Sequence, residues 1–233
     1  LSAAARDWVL DLTPVPSGTT ALLQAVSPVD ESVVWVSGHE ATWSRSLDGG
    51  ASWQSGRVPG PEERQFRDVH AFSADEALLM SAGTGAESRI LRTGDGGATW
   101  SEVFVMDHPE GFLDCMAFWP DGRGLAYGDA VDGELYILRT RDRGRSWSRI
   151  PPVDLPDALP GEGGFAASGS CVSTDNGDGA WIATGNGPTP RLLRTMDGGR
   201  TWTAADLPLA AGEGRGATTV GFRPDGLGFA LGG

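Results

Sequence analysis

The sequence predicts an all-β protein, a β-propeller of four-stranded antiparallel blades, and three observations predict it. One octapeptide occurs four times at a blade-like spacing, and strand-like runs in sets of four surround each copy. The 35 Gly and 15 Pro, with no long run of helix formers, imply many short strands joined by tight turns.

The octapeptide Ser46-Leu47-Asp48-Gly49-Gly50-Ala51-Ser52-Trp53 returns as Thr93-Gly94-Asp95-Gly96-Gly97-Ala98-Thr99-Trp100. It returns again as Thr140-Arg141-Asp142-Arg143-Gly144-Arg145-Ser146-Trp147, and as Thr195-Met196-Asp197-Gly198-Gly199-Arg200-Thr201-Trp202. The four Asp stand 47, 47 and 55 positions apart. Asp followed by Gly favours a tight turn, because the carboxylate accepts backbone N–H bonds and Gly supplies positive φ. Ser or Thr at either end bonds locally. The Trp opens the next strand and offers a flat surface to a neighbouring sheet. Asp48, Trp53, Asp95, Trp100, Asp142, Trp147, Asp197 and Trp202 are therefore read as structural residues of the turn.

The elements follow in order. Trp8-Val9-Leu10-Asp11-Leu12 reads as a lone strand over 6–13. Blades are expected over approximately 20–60, 64–106, 110–152 and 164–208, with a partial blade at 216–233. In the second, Phe66 to Phe72 is an alternating strand closed by Ser73-Ala74-Asp75-Glu76; Ala77 to Gly83 and Ser88 to Thr93 follow, and a fourth strand starts at Trp100. Phe112 to Phe118 repeats Phe66 to Phe72 at an offset of 46. The fifth unit ends after Pro224-Asp225-Gly226 and Leu227 to Leu231. Residues 1–233 are thus expected to form a single propeller domain, a partial one, incomplete at the C-terminus.

Charge narrows the function classes. All 18 basic residues are Arg, and a net charge of −13 repels phosphate backbones and anionic membranes, so nucleic acid is not an expected partner. Without Lys there is no Schiff-base chemistry and no P-loop. No apolar run approaches the roughly 20 residues of a membrane span, so no direct membrane insertion is expected in this segment. Cys115 and Cys171 are too few for a disulfide framework or a zinc site and read as two small buried strand residues. His39, His70 and His108 show no metal spacing, and neither a metal nor a cofactor is expected.

The octapeptide resembles the Asp-box (BNR) repeats of sialidases, oligoxyloglucan-cleaving glycosidases and sortilin-type receptors. With Leu-Arg-Thr leading into Asp-Gly-Gly-x-Thr-Trp, it looks most like the photosystem II stability/assembly factor family and its bacterial relatives, often labelled "oxidoreductase". Gly128-Asp129-Ala130-Val131-Asp132-Gly133 and Glu162 to Gly169 resemble the same branch, which usually has Pro where Ala130 stands. The resemblance implies a seven-bladed propeller when complete, and a non-catalytic scaffold. Its partner would be a protein, a membrane-protein complex or its precursor, met on the periplasmic or lumenal side. Localisation is accordingly expected to be extracytoplasmic.

Aligning the units puts Gln24, Asp68, Asp114, Ala167 and Thr218 at one position of the innermost strands. Asp68 and Asp114 would then face each other near Asp129, Asp132, Glu162 and Phe165, and these six are the candidate binding residues. Paired carboxylates are also what glycoside hydrolysis needs, so a glycoside hydrolase or carbohydrate-binding propeller using Asp68 and Asp114 is the alternative. The plainer reading is a water-filled channel lined by solvated acids. A sialidase needs a Tyr nucleophile and an Arg triad. Tyr127 and Tyr136 are the only tyrosines, and Arg149-Ile150-Pro151 lies in a fourth strand. Arg45, Arg92, Arg139 and Arg194 precede each box by three residues and are expected to pair with their own turn carboxylates. Asp175-Asn176-Gly177-Asp178-Gly179 reads as a turn rather than a calcium loop, and Gly212 to Gly216 as a linker rather than a dinucleotide site. The insert Pro151 to Gly164 lengthens the last spacing and is the expected partner-contacting loop.

Overall fold

The computed structural model describes residues 12–167, 169–223 and 227–233. Four antiparallel four-stranded sheets follow one another along the chain. The first is β1 (Leu23–Pro28), β2 (Val34–Gly38), β3 (Thr42–Ser46) and β4 (Gln54–Arg57), and the second is β5 (Gln65–Ala71), β6 (Ala77–Ala82), β7 (Arg89–Thr93) and β8 (Ser101–Val105). The third is β9 (Leu113–Phe118), β10 (Gly124–Val131), β11 (Glu134–Thr140) and β12 (Ser148–Arg149); the fourth is β13 (Val172–Thr174), β14 (Ala180–Ala183), β15 (Arg191–Thr195) and β16 (Thr203–Asp206). A two-stranded sheet, β17 (Ala217–Phe222) with β18 (Gly228–Gly232), comes last. Each sheet is a simple meander, the all-β propeller arrangement predicted from the repeat. The strand expected at 6–13 falls on residues outside the described ones, save Leu12 and Thr13, which are not in a strand; Pro224 to Gly226 also lie outside.

The core lies between sheets rather than inside any one of them. Trp35, Trp43, Phe66, Val69 and Leu79 fill the space between the first and second sheets. Leu78, Met80, Met116 and Leu138 fill the next space, and Tyr127, Ile137, Ile182 and Leu193 the one after. Strands covered on both faces need apolar residues at consecutive positions, and β6 is buried from Ala77 to Ser81. The outer strands β4, β8 and β16 have one covered face at most and are largely exposed.

The four boxes set the outer turns with one repeated geometry. In the second sheet Thr93 Oγ1 donates to Asp95 Oδ1 (2.8 Å), Thr99 N–H donates to the same oxygen (2.9 Å), and Thr99 Oγ1 donates to Oδ2 (2.6 Å). Asp48, Asp142 and Asp197 repeat the pattern. The residue after each box Asp donates its N–H to a carbonyl of the same sheet's first hairpin: Gly49 to Ser32, Gly96 to Asp75, Arg143 to Gly122 and Gly198 to Asp178. Arg143 adopts φ 60° where its counterparts are Gly, and its guanidinium pairs with Glu76 and lies over the Phe72 ring. The box Trp of the second, third and fourth sheets pack between sheets, Trp100 lying 6.0 Å from Trp43 and 6.3 Å from Trp35.

The arginines before the boxes do not pair with their own turn carboxylates. Arg45 reaches Asp75 of the next sheet (3.4 Å) and Gln54 (2.8 Å), while Arg92 binds Glu76 of the first hairpin in its own sheet. The box carboxylates are already held by the turn hydroxyls and amides, and Arg45 and Arg92 turn to hairpin acids instead.

Candidate functional site

The first hairpin of every sheet closes on an equivalent pair: Pro28 with Val34, Ala71 with Ala77, Phe118 with Gly124, Thr174 with Ala180 and Phe222 with Gly228. Counting back from these pairs makes Ala25, Asp68, Cys115, Cys171 and Thr219 equivalent. Just before that position the register slips at Gln24, Arg67, Asp114 and Thr218. The counterpart of Asp114 is therefore Arg67, not Asp68, and Ala167 lies outside the inner strand of the fourth sheet. The hairpin offset is 47, as between the first boxes, rather than 46, and a slip of one residue changes the face a side chain occupies.

Two equivalent positions are covalently joined. Cys115 and Cys171 form a disulfide between β9 and the residue preceding β13, with Cα atoms 5.8 Å apart. The reading of two unlinked cysteines is thus corrected: adjacent inner strands bring matching positions within disulfide reach, whatever the sequence separation. One junction earlier, Asp68 takes the same place and accepts N–H bonds from Val69 and Met116, both at 2.7 Å.

Glycine-rich residues 163–167 and Gly169, ahead of β13, cross in front of the inner strands of the other sheets. Gln24 of β1 donates to Ala167 O (3.3 Å), Arg67 of β5 donates to Ala166 O (3.3 Å), and Gly164 N–H donates to Asp129 Oδ1 of β10 (3.1 Å). The segment needs glycine where the carboxylates press on its backbone. A Cβ on Gly164 would lie 2.6 Å from Asp114 Oδ2, and one on Gly169, at φ 65°, would lie 2.3 Å from Asp68 Oδ1. Residues 162–167 and 128–133, separate in sequence, thus adjoin: Ala130 N–H donates to Glu162 O (2.9 Å).

The crossing strips water from the acids beneath it. Asp68 is 4 % exposed and Asp114 2 %, so the channel of solvated acids expected at these positions is not what the structure has. Burial raises the Asp68 pKa well above the ordinary carboxylate value, against the pull of the Met116 and Val69 amides. Burial, then the Asp129 charge, raises that of Asp114, and burial raises Asp129 itself. Tyr127, whose hydroxyl is buried without a partner, is pushed up by burial and by the nearby Glu162, Asp114 and Asp129. Glu162 is buried in a fixed network: it accepts from Arg191 Nε (2.9 Å), Thr184 Oγ1 (2.8 Å) and Leu159 N–H (2.9 Å), and is ion-paired with Arg191 Nη2.

Of the six candidate residues, Asp68, Asp114, Asp129, Glu162 and Phe165 lie in or against this segment. Phe165 packs on Gly185. Asp132 stands apart, at φ 53° in the hairpin between β10 and β11, with its carboxylate 3.2 Å from His108 Nε2. Gln24 and Arg67, which hold the segment by its carbonyls, were missed as binding residues. Applying the box spacing of 47 to the inner strands would have aligned Arg67 with Asp114.

The remaining motifs are structural. Arg149 pairs with Glu134 (3.1 Å) and lies over Tyr136. Asp175 closes its turn by accepting from Gly177 and Gly179 N–H at 2.8 and 2.9 Å. His70 stacks on Phe118 at 4.3 Å, and burial, reinforced by Arg143, lowers its pKa to about 4. Among the described residues no cluster of His, Cys, Asp and Glu has metal-binding geometry, and no helix is long and apolar enough to cross a membrane. The insert is divided. Leu155 and Ala158 pack on the core, while Val153 is 90 % exposed beside an open groove formed with Trp202 and Thr203.

No family model and no curated protein matches the sequence. Solved structures do. An ancestral GH74 enzyme superposes with a TM-score of 0.59 at 14 % identity, covering 88 % of this chain and 28 % of the enzyme. The GH74 xyloglucanase from Xanthomonas campestris gives 0.56 at 20 % identity over 79 % of this chain and 29 % of its own. The chain spans less than a third of either enzyme, and the likeness is one of fold: both are β-propellers. YCF48 bound to D1 peptide gives 0.49 at 18 % identity over 96 % of this chain and 94 % of that one.

Proposed function

We propose that this protein is a non-catalytic, extracytoplasmic binding scaffold whose partner is another protein. The observation that carries the reading is the burial of Asp68 and Asp114 against Gly164 and Gly169. A glycosidase needs two carboxylates that reach a sugar from either side. Here one carboxylate accepts two backbone amides, and the other is pressed against the Gly164 backbone. The Cys115–Cys171 disulfide and the Asp68–Met116 hydrogen bond tie neighbouring inner strands together, which suits presentation of loops more than chemistry at the axis. The disulfide supports an oxidising compartment. The resemblance of the repeat to photosystem assembly factors supports a membrane-protein complex or its precursor as the partner. The contacting surface in this reading is the exposed start of the insert, Pro151–Pro156, with Arg200 to Ala204 alongside.

The test is affinity purification from the source cells with mass spectrometry of the bound material, using wild type and Val153→Asp. A stoichiometric protein partner that Val153→Asp releases is the expected result. Recovery of the protein alone would overturn the reading. So would hydrolysis of β-glucan oligosaccharides that Asp68→Asn abolishes.

A further inference from the structure

Between the first and second sheets, the connection Val58–Arg64 and the outer half of the second sheet enclose a groove of about 580 Å³. Val58, Pro59 and Leu91 give it apolar walls, Trp100 lines it, and Arg64 and Glu102 bring charge to it. Arg64 is 7 % exposed, and its backbone is fully engaged: its N–H donates to Pro61 O (3.3 Å) and its carbonyl accepts from Ala41 N–H (2.7 Å). Its guanidinium is not. Among the described residues it makes no ion pair and no side-chain hydrogen bond, and its Nε is sealed from water without an acceptor. The indole Nε1 of Trp100 is also buried without an acceptor.

Arginine is rarely buried without a partner, because an uncompensated charge in a low-dielectric site is strongly unfavourable. The chain carries 31 carboxylates, so acids are not scarce. The one lining this groove, Glu102, is held by Arg89. The architecture does not require a cation here either. The equivalent position in the third sheet is Gly111, and in the matching groove between the third and fourth sheets Arg200 is exposed. What distinguishes this groove is a forked donor at an apolar cleft whose one lining acid, Glu102, is engaged by Arg89.

We propose that the groove binds a small organic carboxylate with an apolar body. The guanidinium fork matches a carboxylate's two oxygens, and the apolar walls accept an alkyl or aryl group. The volume falls within the range of small-molecule pockets, about 300–1,000 Å³. An inorganic anion would leave the walls unfilled, and a polyanion would meet the net charge of −13.

Isothermal titration with 3-phenylpropionate tests this, with 3-phenylpropionamide as its uncharged isostere. One saturable site per chain is expected, with the amide at least about tenfold weaker because a charge-assisted bond is lost. Arg64→Met abolishes binding without lowering the unfolding temperature, since the guanidinium holds no partner among the described residues; a merely structural arginine would lower it. Glu102→Gln, at an exposed carboxylate, frees Arg89 and strengthens binding about twofold to fivefold. If Arg64→Met does not fold, the Glu102→Gln titration decides alone. No binding of the acid, equal binding of the amide, undiminished binding by Arg64→Met, or no strengthening by Glu102→Gln would overturn the proposal. So would binding of a Phe-terminated peptide where the free acid does not bind.

Discussion

Replacing Cys115 and Cys171 together by Ala removes the covalent link between β9 and the entry to β13 with little other change, because both side chains are small and fully buried. The sequence separation is 56 residues. Releasing a loop of that size returns enough chain entropy to the unfolded state to lower stability by about 4 kcal/mol. For a chain of this length, each kcal/mol moves the unfolding temperature by roughly 2–4 °C, so the double variant should melt about 8–16 °C below wild type. Thermal and urea unfolding, followed by tryptophan fluorescence with and without reductant, measure it. Reductant should bring wild type to the variant's midpoint and leave the variant unmoved. A variant within about 2 °C of oxidised wild type would refute the reasoning, since the bridge would then not constrain the unfolded chain.

Asp68→Leu leaves the Val69 and Met116 amides without their acceptor in a sealed site, at a cost of about 1–3 kcal/mol for each in chemical denaturation; Asp68→Asn, which keeps one accepting oxygen, should cost distinctly less. The two variants also separate on pH. The raised pKa of Asp68 means wild-type stability falls as pH climbs above the unfolded value near 3.8, so Asp68→Asn should gain on wild type as pH rises from there. A gap that stays flat over that rise would contradict the assignment. The box carboxylates carry the opposite sign. Hydrogen bonds from Thr99 lower Asp95 to about 2, so its contribution is complete above the unfolded value and lost as pH falls toward 2. The deficit of Asp95→Asn should shrink over that interval, and a deficit independent of pH would count against the box geometry.

Much of the architecture was legible because the box is a local device. Asp95 and Thr99 lie four residues apart, and nothing outside the turn is needed for their bonds, so four copies in the sequence announce four equivalent turns. The Trp that follows each box pointed to packing against a neighbouring sheet, as Trp100 packs on Trp43. The candidate site was legible in part. Residues 128–133 and 162–169 were both singled out, yet nothing in their sequence says that Ala130 meets Glu162 or that Gly164 meets Asp114. The inner strands repeat at 47 residues rather than the 46 that Phe66 and Phe112 suggest, and in a strand that is enough to exchange Arg67 for Asp68.

The repeat by itself thus determined the β-propeller class and the structural role of the box residues, because turn chemistry acts over a few bonds. Only the tertiary structure decided what the inner strands do at the axis. Whether Asp68 is solvated, whether Cys115 meets Cys171 and whether Arg64 finds an anion depend on how separate sheets face one another. That arrangement follows from packing between sheets, to which residues far apart in the chain contribute at once.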